Sequence, residues 1–92
     1  MKLVYIIENI ETINEDLIIF QEDENDSSSD VILANVEIYD NGLKNENGKI
    51  YHYLLEVFLA KEFIADWIQS LPYVPTPNDI AIRLHYYARN DA

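Results

Sequence analysis

Lys49 to Pro72 read KIYHYLLEVFLAKEFIADWIQSLP, and within this stretch the hydrophobic period changes once. Up to Leu59 the side chains alternate, with Tyr51, Tyr53, Leu55, Val57 and Leu59 on one face of a strand. Ile50, His52, Leu54, Glu56 and Phe58 fall on the other, more mixed face. From Ala60 onward the apolar positions are Ala60, Phe63, Ile64, Trp67, Ile68 and Leu71. That spacing is an amphipathic helix, which Pro72 stops.

Downstream, Thr76-Pro77-Asn78-Asp79 supplies an N-cap, a proline at the first helical position and an acid at the third. The helix it opens carries Ile80, Leu84, Tyr87 and Ala88 as its buried stripe, with Tyr86 and Arg89 on the wetter side. Upstream, Val31 to Tyr39 alternates with Ile32, Ala34, Val36 and Ile38 on one face, against a wet face of Asn35, Glu37 and Tyr39. Leu17 to Phe20 is another short β-rich run, and residues 2 to 7 are apolar on both alternating faces, as in a covered strand. Asn41-Gly42 and Asn47-Gly48 are tight-turn signals, and the residues between them suit either a loop or a very short strand. Strands first and helices last predict an α+β domain, a small antiparallel sheet of three to four strands with two C-terminal helices packed on one face. The 92 residues suit one domain.

The chain holds 17 acidic and six basic residues, for a net charge of −11. Residues 1 to 43 contain eleven acids and one base, Lys2, so the first half carries the field. Half of that excess lies in Gln21 to Asp30, QEDENDSSSD, whose Glu22, Asp23, Glu24, Asp26 and Asp30 come without an apolar neighbour. Such a segment buries too little to offset its ordering entropy unaided, and is expected to be a mobile loop. This charge disfavours direct binding to nucleic acid or to an anionic membrane and favours basic partners, among which nucleic-acid-binding proteins are prominent. Solubility alone fits the charge equally well. The absence of cysteine suits a reducing cytoplasm, and the N-terminal apolar run is too short for a signal peptide or membrane span.

Catalytic patterns are sparse. The two glycines are used in turns, which leaves none for a phosphate loop. His52 and His85 lack the neighbours of a zinc set, and a His52–Glu56 pair on one strand face reads more simply as a polar contact. Asp23, Asn25 and Ser27 imitate the start of a calcium loop, but Ser28 and Ala34 stand where its glycine and bidentate glutamate belong. Neither cofactor nor enzymatic activity is expected. The remaining functional candidates are Glu37, Tyr39 and Asp40 at a strand end, where tyrosine supplies contact area and carboxylates find Arg or Lys.

Tyr39-Asp40-Asn41-Gly42, then Asn47-Gly48-Lys49, then Trp67 followed by Leu71-Pro72 and a closing helix occur in an order that resembles small phage anti-CRISPR proteins. The family in question inhibits the type I-F CRISPR surveillance complex. The resemblance covers roughly residues 31 to 92. The acidic loop is extra relative to the family, and the segment between the Asn-Gly turns is shorter. The resemblance implies a protein that docks on the protein backbone of a guide-RNA complex and blocks target DNA, with Tyr39 as a contact. Tyr5 lies near another contact position, shifted by one. The loop acids have no family counterpart; on charge alone they would compete with nucleic acid for basic residues, as a DNA mimic does. The expectation is therefore a cytoplasmic inhibitor, monomeric or weakly dimeric. The alternatives are a DNA mimic for another basic protein, or an accessory protein self-associating through Ile50, Leu54 and Phe58.

Overall fold

A computed structural model describes residues 1–35 and 42–90. The chain runs α1 (Leu3–Glu8), a single 3-10 turn (Ile10–Thr12), β1 (Ile18–Gln21), β2 (Val31–Ala34), β3 (Leu43–Glu46), β4 (Lys49–Glu56), α2 (Val57–Ser70) and α3 (Pro77–Asn90). The strands form an antiparallel sheet in the order β2-β1-β4-β3. The α+β class, the sheet and the two C-terminal helices are those expected from sequence.

The N-terminal run is a helix, where a strand is expected. Its β-branched residues favour a strand locally, but propensity yields to packing. Leu3, Ile6 and Ile7 are buried, Ile10 packs beside them, and Tyr5 and Glu8 face out. That is helical spacing, which alternation had masked. The segment before α1 is pinned to β2: the Val31 amide donates to the Met1 carbonyl at 2.7 Å, and Lys2 bridges Asp30.

The main core lies between the sheet and all three helices, built on Leu3, Ile6, Ile19, Leu55, Ile64 and Leu84. A smaller cluster of Ile18, Phe20 and Tyr51 occupies the opposite face of the sheet, with Ile32 and Ala34 beside it. Two expectations about facing are corrected here. In β2, Ile32 and Ala34 pack on the smaller cluster as an apolar face should, but Val31 is buried and Leu33 packs on the main core. The strand is therefore covered on both faces, and of the expected wet positions the described one, Asn35, is exposed just beyond its end. In β4, Ile19 stands opposite Leu55 and Phe20 opposite Tyr53, which leaves Leu54 as the extra residue of a β-bulge. The bulge turns both Leu54 and Leu55 into the main core. Strict alternation through Leu59 is therefore wrong, and the strand also ends earlier, at Glu56.

Asn47 (φ 53°) and Gly48 (φ 79°) both take the left-handed conformation between β3 and β4, a two-residue hairpin turn that places Glu46 opposite Lys49. The segment between the Asn-Gly signals thus forms a short edge strand. At α3, the Asp79 amide donates to Thr76 Oγ1 at 3.1 Å and the Thr76 amide to Asp79 Oδ2 at 3.2 Å, the reciprocal cap that the sequence predicts. Among the described residues no helix is long and apolar enough to cross a membrane.

Candidate functional site

The acidic segment follows β1 and folds back on itself. Gln21, only 1% exposed, donates from Nε2 to the Asp26 carbonyl at 2.8 Å and so anchors the loop from within. Asp23 Oδ1 accepts from the Asn25 amide, and Asp26 Oδ1 from both the amide and the hydroxyl of Ser28. These local turns replace the apolar anchoring that the sequence lacks. The Ser28 bonds hold the Asp26 carboxyl below its ordinary pKa.

Cations from three distant elements then close on the loop. Lys2 meets Asp30 at 2.9 Å, Lys49 of β4 meets Glu22 at 3.5 Å, and Arg89 of α3 meets Glu24 at 3.1 Å. Hydrogen bonding between Lys2 and Asp30 raises the lysine pKa and lowers that of the aspartate. His52 Nδ1 lies 3.5 Å from Glu24 Oε1, and His85 Nε2 lies 3.1 Å from the Glu24 carbonyl, an acceptor that requires the proton on Nε2. Burial pushes the His85 pKa down. Glu24 is thus a hub between loop, β4 and α3, and three of the five loop carboxylates already have a cation of their own chain.

His52 and Glu56 do not pair. The bulge puts them on opposite faces: His52 turns to Glu24, while Glu56 accepts from the Tyr53 hydroxyl. Burial together with that bond pushes the Tyr53 pKa up to about 12. Among the described residues no group of three or more His, Cys, Asp or Glu is arranged to hold a metal.

Beside the loop, α1 and α3 leave an apolar cleft of about 630 Å³, whose walls include Met1, Val4, Tyr5, Ala81 and Ile82, with Ser27 and Ser28 of the loop at its edge. Ile82 also lines two neighbouring depressions, one with His85 and Arg89, the other with Trp67, Tyr73 and Arg83; Tyr86 lines both. Through the second of these the apolar surface continues along α3, whereas the first is mostly polar. Tyr5, Ile82 and Tyr86 are 56%, 55% and 54% exposed. Arg83 lies against the rings of Phe63 and Tyr86, at 5.7 and 5.4 Å from their centroids.

Of the residues singled out from sequence, the fold brings Tyr5 and the five loop acids to one side of the molecule. Glu37, Tyr39 and Asp40 lie outside the described residues. The Ile50-Leu54-Phe58 face does not form: Leu54 is core, and Phe58 belongs to α2. Ile82 escaped notice because it lies off the buried stripe of α3. The available signal was its four-residue spacing from Tyr86, two large side chains on a face with no assigned cover. Comparison with protein-family models, curated proteins and solved structures finds no match to this chain.

Proposed function

We propose that this protein is a non-enzymatic inhibitor that binds a basic nucleic-acid-binding protein and keeps nucleic acid from it. The observation carrying this reading is the acidic loop, which is tied by Gln21, two aspartate-capped turns and contacts with cations from three other parts of the chain. A loop ordered before binding loses less entropy on docking than a free one. The charge of −11 further attracts basic surfaces and repels nucleic acid. The resemblance makes the type I-F surveillance complex the first partner to test, with Tyr39, Asp40 and Glu37 as further candidate contacts.

The test is gel filtration with guide-loaded complex, followed by a target-DNA shift on the same mixture. Co-elution with loss of the shift is expected. An unaffected shift at large excess would remove this partner.

A further inference from the structure

We infer that the α1/α3 cleft is a docking groove for an amphipathic, basic helix of a partner protein, with Ile82 at its centre. The inference takes from the proposed function only the positive charge of the occupant.

Three observations lead there. First, large apolar side chains stand open along one continuous surface, with Tyr5 on one wall, Ile82 on the other, and Tyr86 and Tyr73 beyond. Patches of this kind on a small domain mark contact sites. Second, the walls are two helices, a groove form that accepts the apolar face of a third helix. Third, the rim selects the sign of the occupant. Lys2 is matched by Asp30 and Arg89 by Glu24. Among the described residues that leaves the carboxylate of Glu8 in the cleft itself, with Asp23 and Asp26 in the adjoining depression that shares Lys2 and Ser28, and Asp79 in the one that shares Ile82. Against them stands the guanidinium of Arg83, which is engaged with Phe63 and Tyr86. A second copy of the chain would bring −11 against −11, so charge opposes self-association through this surface and favours a basic occupant. The groove gives the apolar contact area and the rim gives the sign.

The test uses a synthetic leucine/lysine amphipathic peptide of about 15 residues, long enough to form a helix on binding. Controls are the same design with glutamate for lysine, and the lysine peptide in scrambled order. Amide chemical-shift mapping on the full chain is expected to show changes at residues 1–5 and 78–86 with the ordered lysine peptide only. Ile82→Glu should weaken its binding by about tenfold or more, the effect of a central anchor. Ile82 and Tyr5 are exposed, so both Ile82→Glu and Tyr5→Ala should keep the fold; Tyr5→Ala should weaken binding less. Absence of binding, equal binding of the scrambled peptide, shifts confined to residues 22–30, or an Ile82-dependent dimer in sedimentation would each overturn the groove. If the surveillance complex does not co-elute but the peptide maps to the groove, that partner falls and the groove stands. If co-elution occurs and Ile82→Glu leaves it unchanged, the groove falls and the function stands.

Discussion

The acidic loop and the α1/α3 cleft lie side by side and differ in what the fold leaves undone. The loop is conspicuous in sequence, yet Lys2, Lys49 and Arg89 match three of its five carboxylates, and its backbone is tied by Gln21 and its own side chains. The cleft is inconspicuous in sequence, yet it keeps Tyr5 and Ile82 in water, with Tyr86 exposed beyond it. Charge density along a chain therefore does not by itself locate a contact surface. Internal partners decide how much of the charge, and of the apolar area, is left for another molecule.

The contrast can be broken most severely from the cleft side. Leu3 is 1% exposed and fixes α1 on the core, so Leu3→Ala should cost about 3 kcal/mol in urea unfolding and remove one wall of the cleft. A loss below about 1 kcal/mol would show that α1 is not packed as described. Next comes the loop anchor. Gln21→Ala removes the buried amide that holds the Asp26 carbonyl and should cost about 1–2 kcal/mol, with faster amide exchange confined to residues 22–30. Smaller again is Arg89→Ala. The pair with Glu24 is substantially exposed, so the expected loss is below about 1 kcal/mol and shrinks with salt.

Titration sharpens the same comparison. Burial lowers the folded pKa of His85, so the unfolded chain takes up that proton first as pH falls. Stability should be level above the ordinary value of 6.5 and decline as pH drops from there through the folded pKa. Asp26 and Asp30 have lowered values, so their contribution is present above 3.8 and lost further down; the raised Lys2 contributes until pH climbs through its folded pKa. Melting temperature against pH checks this, and His85→Gln should flatten the slope between about pH 7 and 5. The smallest effect is expected at the cleft itself, where Ile82→Ser should change stability by no more than about 0.5 kcal/mol, since the side chain is already half in water.

Much of the fold was legible in the sequence. The cap at Thr76–Asp79 and the Asn47-Gly48 turn are local signals and appear where the residues put them, while the change of period is present but falls at Val57 rather than at Ala60. Two features were hidden by non-local causes. The short run Leu3 to Glu8 satisfies strand and helix templates at once, and only its packing against α3 selects the helix. The bulge at Leu54 depends on the register of β4 against β1, which no spacing within β4 reveals. The site was legible in part. Tyr5 and the acids of residues 22–30 could be singled out from sequence, whereas the pairing of those acids joins residues as far apart as Glu24 and Arg89. The cleft exists only because α1 and α3, at the two ends of the chain, meet in space.

Everything argued for the cleft depends on α1 being a helix against α3, and backbone chemical shifts with nuclear Overhauser contacts test that directly. Helical Cα shifts from Leu3 to Glu8, with contacts from Leu3 and Val4 to Ala81 and Ile82, are predicted. Strand-type shifts over those residues, with cross-strand contacts instead, would contradict the account and remove the groove with it.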